Sequence, residues 1–313
     1  MGGLPVTRVR VVLDYLHPWP NSAGFYVARA RGWYEAAGLD VELRTHDCGW
    51  GDTLEYLAQG LAEFGVFPPN RLLVRRERGE PLAAIAAVNH RGLESIQVAR
   101  SSGITRPGEL GGRLIGYSPT PRGRAMVRAA VAADGGDPDS VITVDTGSIE
   151  LTPEFLQAGS VDATFGGYWA WDALTRAIAS DETLVWPAGD LGVPCYHSYV
   201  LGAPEQLLLG SPDTVRRFLE ATSRGFRTAA SEPEATLRDL EQAIPYVPSW
   251  RLERSLELVA PTWTHDGIWG GLREELLGPY AEWLASYGIL RTPSRWSDGF
   301  TTEFLPPQGA SVL

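Results

Sequence analysis

The chain contains no lysine; its 27 basic side chains are all arginine. An internal Schiff base to a carbonyl cofactor such as pyridoxal phosphate needs a lysine amine, so that chemistry is closed to it. Cysteine is nearly absent too, with Cys48 and Cys195 the only two. Two thiols make no disulfide framework, and without a CxxC pair they do not suggest zinc. Spacing alone does not decide whether they bridge, and two free thiols is the plainer expectation. No apolar run approaches the roughly 18 residues of a membrane-crossing helix. Met1 to Val12 lacks the apolar stretch of a secretory signal. The expectation is therefore a cytoplasmic chain, or a mature form whose signal has been removed. Net charge is −11, which argues against nucleic acid as a partner, since phosphate backbones are met by basic stripes. Local arginines could still hold a small anionic group. No cofactor and no metal is expected.

What is present fits an α/β protein. At 313 residues the chain is too long for one average domain, and two lobes are the starting expectation. Val9 to Leu13 reads as a strand. A proline-rich loop, His17-Pro18-Trp19-Pro20-Asn21, follows it, then a helix over about Ala23 to Ala37 closed by Gly38, then a strand from Leu39 to Leu43. This β-loop-α-β order implies a parallel sheet. The unit repeats with a strand at Ala62 to Val66, the loop Phe67-Pro68-Pro69-Asn70, a helix to Arg78 and a strand at Ala83 to Val88. From Arg106 the pattern restarts, with strands at Arg113 to Tyr117, Val141 to Val144 and Ala163 to Phe165. Helices are expected at Arg124 to Ala133 and at Pro153 to Ala158. After Pro194, strand-like Tyr196 to Gly202 leads into helices at 211–230, 231–243, 249–259 and 272–287. No low-complexity linker intervenes. Two α/β units without one suggest lobes joined by strands, with a cleft at the carboxyl ends of the sheets.

A family resemblance emerges from these segments. Leu13-Asp14-Tyr15 through Asn21, Gly24-Phe25-Tyr26-Val27-Ala28, Gly32-Trp33-Tyr34 and Gly38-Leu39-Asp40-Val41 resemble the opening of one group of periplasmic-type proteins. That group holds the formylaminopyrimidine-binding proteins of thiamine salvage importers, their riboflavin- and sulfonate-binding relatives, and the eukaryotic-type thiamine-pyrimidine synthase. Gly112 to Tyr117, Gly159 to Trp171 and the tail Phe300 to Pro306 are similar to the same group. The match runs over nearly the whole chain, and its specificity lies in the order of the motifs. The resemblance implies a two-lobed type II periplasmic-binding fold that closes by hinge motion. It implies lobe one at 1–96 plus 198–313 and lobe two at 97–197. The partners it implies are a small heteroaromatic ligand and an ABC permease, with no nucleic acid and no membrane span.

The candidate ligand-binding residues follow from position and chemistry. Asp14, Tyr15, His17, Trp19 and Asn21 lie on a loop between a strand and a helix, where open α/β sheets bind ligands. Aromatic faces stack on flat rings, and Asp14 or Asn21 can bond ring amines or carbonyls. The alternative is that Tyr15 and Trp19 pack the interior and that His17 bonds a loop carbonyl. Pro69 and Asn70 occupy the corresponding loop after the third strand. Gly167, Tyr168, Trp169 and Asp172 follow a strand and would form the opposite jaw; hinge packing is the alternative. Asp172 stands where the pyrimidine binders carry a glutamate. Ser118 and Thr120 precede a helix whose backbone amides could meet an anion or carbonyl, with Arg122 and Arg124 able to help; ordinary capping is the alternative. Tyr196 and His197 lie where the chain returns between lobes, one of them facing the cleft. Replacing Trp19 or Trp169 with alanine is expected to weaken binding without unfolding the protein. Trp263, Trp269, Trp283 and Trp296 are expected to be core in a C-terminal section that buttresses lobe one.

Catalysis is the second reading. The weak candidates are His17, Asp14 and Cys195, the last close to His197. The pyrimidine synthase of this group uses a lysine for pyridoxal phosphate and a histidine four residues later. Those positions are Phe67 and Arg71 here. A sulfinate-cleaving desulfinase of similar architecture has a nucleophilic cysteine before Pro-x-Pro-Asn, and His17 stands there instead. A cytoplasmic enzyme with another chemistry at His17 stays open, and a binder is the favoured reading.

Overall fold

The computed structural model describes residues 6–13, 15, 18–147, 156, 158–168 and 182–307. Two five-stranded sheets organise it. In the first, β1 (Thr7–Leu13) pairs in parallel with β2 (Leu39–Thr45) and β3 (Phe64–Phe67). β10 (Val200–Pro204) then runs antiparallel between β3 and β4 (Leu82–Ala87). In the second, β6 (Leu114–Tyr117) pairs in parallel with β7 (Ile142–Asp145) and β8 (Ala163–Tyr168). β5 (Glu94–Ala99) lies antiparallel to β8 and to β9 (Thr183–Pro187). The expectation of parallel sheets is corrected: each sheet has four strands in one direction and one, β10 or β5, running against them.

Those antiparallel strands come from the two segments in which the chain passes between sheets. β4 leads directly to β5, and β9 leads back to β10. The strand expected from Tyr196 starts only at Val200 because residues 194–199 are the crossing itself. β5, β9 and the hairpin of β11 (Thr264–His265) and β12 (Ile268–Trp269) had no counterpart in the sequence reading.

The helices cover the sheets. α1 (Ala23–Ala30) and α2 (Trp33–Ala36) divide the single helix expected at 23–37, because Gly32 between them has φ +70°, a left-handed conformation only glycine adopts cheaply. α3 (Thr53–Ala58) and α4 (Pro69–Glu77) follow β2 and β3, and α5 (Pro121–Ala133) follows β6. α6 (Glu205–Gly210), α7 (Pro212–Ser231), α8 (Pro233–Ala243) and α9 (Ser249–Val259) complete the first lobe. α1 packs on α7 through Gly24 and Gly225, where a Cβ on Gly225 would lie 2.1 Å from the Gly24 carbonyl. That backbone-to-backbone approach fixes α1 against α7.

α10 (Glu274–Ser286) departs from the expected arrangement. Its Tyr280, Ala281 and Leu284 share one apolar cluster with Ile96, Val98, Ile115 and Val127 of the second sheet and its helix. Trp263 and Trp269 are core in the first lobe, whereas Trp283 and Trp296 pack against the α10 cluster. The C-terminal section thus touches both halves rather than one.

Candidate functional site

The strand directions place the two carboxyl edges face to face. β4 ends at the edge where β1, β2 and β3 end, because both β4 and β3 run antiparallel to β10. The next strand, β5, begins with Glu94 opposite Tyr168, at the carboxyl end of β8. The return leaves from Pro187, opposite Ser95 at that same edge, and enters β10 at Val200, opposite Phe67. Both crossings therefore join carboxyl edge to carboxyl edge. Such edges are where open sheets present their loops to ligands, so the cleft lies between them.

On the first jaw, Tyr15 is half-buried and its ring centre stands 5.2 Å from that of Trp19. Trp19 itself is 2% exposed, part of the lobe core, and lies edge-on to Tyr199. The expectation that its loss would spare folding is therefore corrected. Asn21 is buried and fully engaged: its amide bonds Asn89 reciprocally at 3.1 and 2.7 Å and accepts from Trp263 Nε1 at 3.0 Å. Asn89 also donates to Thr262 at 2.7 Å. Asn21 thus ties the first loop to the start of the crossing and to the segment after α9. Asp14 and His17 lie outside the described residues.

Pro69 is buried at the first position of α4, and Asn70 follows it. The Asn70 side-chain oxygen is buried with no hydrogen-bond partner. A buried polar atom left unpaired is costly and calls for an explanation. The loop after β2 reaches the same edge. It carries His46, held below its ordinary pKa by burial despite a hydrogen bond to the Leu13 backbone, and Trp50, which is 60% exposed. Neither was singled out from sequence. The signal available was the β1–β2 adjacency that a βαβ unit implies.

On the second jaw, Ser118 and Thr120 are exposed after β6. Thr120 caps α5, its hydroxyl accepting from the Gly123 amide at 3.1 Å. Gly167 and Tyr168 close β8 opposite Ser95 and Glu94, beyond a register shift. Gly166 at φ +103° accommodates that irregularity. Trp169 and Asp172 lie outside the described residues.

Several candidates turn inward. Tyr196 and His197 are fully enclosed, so the expectation that one faces the cleft is corrected. The Tyr196 hydroxyl donates to Glu94, and its ring stacks on Tyr280 at 4.8 Å. His197 bonds the Asn89 carbonyl through Nδ1 at 2.8 Å and accepts from the Arg273 amide through Nε2 at 3.1 Å. With both nitrogens engaged it cannot serve as base to Cys195, which is free and exposed. Arg122 also points inward, bonding Glu94 at 2.6 Å, so it does not reach for a ligand; Arg124 bonds the Pro119 carbonyl at 3.0 Å. Among the described residues no cluster of three or more metal-binding side chains occurs, and no helix is long and apolar enough to cross a membrane.

Burial keeps two histidines neutral. It lowers His197 to about 4 against the Asn89 bond, and lowers His90 to about 3, with His197, His265 and Arg273 adding to the effect. Above pH 6.5 both are neutral in folded and unfolded chains alike. Below it the unfolded chain takes up protons that the folded protein refuses. Stability is therefore expected to fall by about 1.4 kcal/mol per pH unit for each histidine until the pH passes its folded value. Urea midpoints between pH 7 and pH 5, above the carboxylate range, check this; a flat profile there contradicts it.

Residues 19–236 match the model of the family described as NMT1/THI5 like. The chain belongs to that family. It is 24% identical over 301 residues to a formylaminopyrimidine-binding protein of Halalkalibacterium halodurans, covering 94% of this chain and 89% of that one. It is 23% identical over 310 residues to a 4-amino-5-hydroxymethyl-2-methylpyrimidine phosphate synthase of Legionella pneumophila, covering 98% and 95%. Among solved structures, the alkanesulfonate-binding protein SsuA of Xanthomonas axonopodis pv. citri, bound to MOPS, superposes with a TM-score of 0.71 at 14% identity, covering 96% of this chain and 99% of that one. The two-lobed periplasmic-binding fold follows from this likeness together with the sheet topology above.

Proposed function

We propose that this protein is a solute-binding protein that closes its lobes on a small, flat heteroaromatic compound of the thiamine-pyrimidine class, for delivery to an ABC importer. The observation that carries the reading is the unpaired, buried Asn70 oxygen at the carboxyl edge that also holds Tyr15. An aminopyrimidine offers an exocyclic amine and ring nitrogens. An asparagine amide, which can turn either end outward, complements both. The half-buried Tyr15 ring, backed by Trp19, supplies a stacking face. The Halalkalibacterium relative's named ligand supports the same chemical class.

The related synthase activity fares worse on this chain's own residues. Phe67, at the lysine position, is wholly buried in the lobe interior, and no lysine exists elsewhere.

The test is titration calorimetry against formylaminopyrimidine, hydroxymethylpyrimidine, thiamine, riboflavin and aryl sulfonates, with mass spectrometry of each compound afterwards. One pyrimidine bound tightly and recovered unchanged is the expected result. Asn70→Ala should weaken it about tenfold, as loss of one buried hydrogen bond does. A compound recovered altered would make this an enzyme and return attention to Asp14 and His17.

A further inference from the structure

α10 stands astride the two halves. Its first turn is anchored to the return crossing by the Arg273 amide on His197 at 3.1 Å. Its middle meets the second lobe: the Tyr280 hydroxyl accepts from Arg122 Nε at 2.6 Å, and the Tyr280 ring stacks on Tyr196. Beyond its last turn, the chain is clamped to α4 of the first lobe. Glu77 there accepts from the amides of Arg291 and Thr292 at 2.8 and 2.6 Å and from the Thr292 hydroxyl at 2.9 Å. Arg76 reaches the Asp298 carbonyl at 2.9 Å, and Thr301 donates to Ala84 in β4 at 2.9 Å. Among the described residues the lobes are thus joined by two crossing segments and by this helix.

Arg122 is where that third connection enters the second jaw. It sits in the first turn of α5, two residues after Thr120. Its guanidinium lies 14% exposed between Glu94, Tyr280 and the face of Tyr196, whose ring centre is 5.2 Å away. The planar fork lets one side chain hold the start of the crossing and α10 together. The Ser118–Thr120 loop is tied to the same turn by the Thr120 cap and by Arg124 on Pro119. A displacement of α10 therefore carries that loop with it.

We propose that α10 is a spacer that sets the resting separation of the jaws, with Arg122 and Tyr280 as positioning residues that govern ligand affinity without touching the ligand. This rests on the cleft being the ligand site. A free protein already held near its closing geometry spends less binding energy on reorganisation. Loosening the spacer widens the open ensemble and weakens binding.

The test uses the full chain with Cys48 and Cys195 replaced by serine and spin labels at Gln59→Cys and Ala132→Cys, both exposed positions, one in each lobe. Without ligand, one narrow distance distribution is expected. Tyr280→Phe removes the hydroxyl and keeps the ring stack, and Arg122→Lys keeps the charge and loses the fork. Each should broaden the distribution. Tyr280→Phe should raise Kd for hydroxymethylpyrimidine about tenfold through the widened open ensemble, and should lower the melting temperature as well, because it takes an acceptor from the buried Arg122 guanidinium. A distance distribution identical to the parent in Tyr280→Phe overturns the proposal, whatever happens to stability. If the parent binds none of the pyrimidines, the functional reading fails, while the ligand-free distances still decide the role of α10.

Discussion

Glu94→Ala is expected to destabilise the protein by about 3–5 kcal/mol, because it strands the Arg122 charge inside the structure. The Glu94 side chain is 4% exposed and the Arg122 side chain 14%, and they meet at 2.6 Å. Burial alone would discourage the guanidinium charge; the Glu94 carboxylate outweighs it and holds Arg122 well above its ordinary pKa. The same pair governs its neighbours. Burial, with Glu94 adding to it, pushes Tyr196 far up, and burial raises Tyr280 to about 12 against the nearby Arg122. The decisive comparison is with Glu94→Leu combined with Arg122→Met. Removing both charges leaves no uncompensated ion, so the double variant should lose less than Glu94→Ala alone. Urea unfolding of the two variants checks this. Equal or additive losses would mean that packing, not charge pairing, dominates the site.

Trp19→Ala is expected to remove about 3–5 kcal/mol through the cavity it leaves, and to abolish measurable ligand affinity by withdrawing the support under Tyr15. Trp19 is 2% exposed, and its ring centre stands 5.2 Å from Tyr15 and 6.3 Å from Tyr199. Trp19→Phe separates the two effects: it refills most of the cavity and should restore most of the stability and part of the affinity. Denaturant midpoints and calorimetric titration, run on both variants, read the two quantities independently. Intact binding in a destabilised Trp19→Ala would remove the first loop from the site.

The fold was legible where local signals were strong. The β-branched run at Val9–Leu13 and the proline at Pro212 mark elements that the structure contains, and helix 249–259 matches to the residue, whereas the helix expected from Arg124 starts at Pro121. β5 was half legible. Ile96 and Val98 alternate as a strand should, but Glu94, Ser95 and Gln97 are buried as well. Their polar character conceals a position enclosed on both sides. The β11–β12 hairpin, two residues per strand, is too short to register as periodicity at all. At the site, the first loop and the segment after β3 were legible as loops following strands. What burial does to their members was not. Asn21, Arg122, Tyr196 and His197 are all residue types that recognise ligands, and each turned out to be consumed by a partner far away in sequence. Asn21 meets Trp263, and Arg122 meets Tyr280. Contacts of that separation leave no trace in spacing or composition.

Val200 pairs directly with Ala87 in the first sheet. Everything between them leaves and re-enters at one rung of a ladder. In topological terms the second lobe is an excursion from a hairpin, and a short turn across that rung would rejoin β4 to β10 without disturbing their register. One half of the cleft can therefore be exchanged or reshaped while the other keeps its own hydrogen-bonded framework. α10 resists such a graft, since any replacement must still offer a surface to Tyr280.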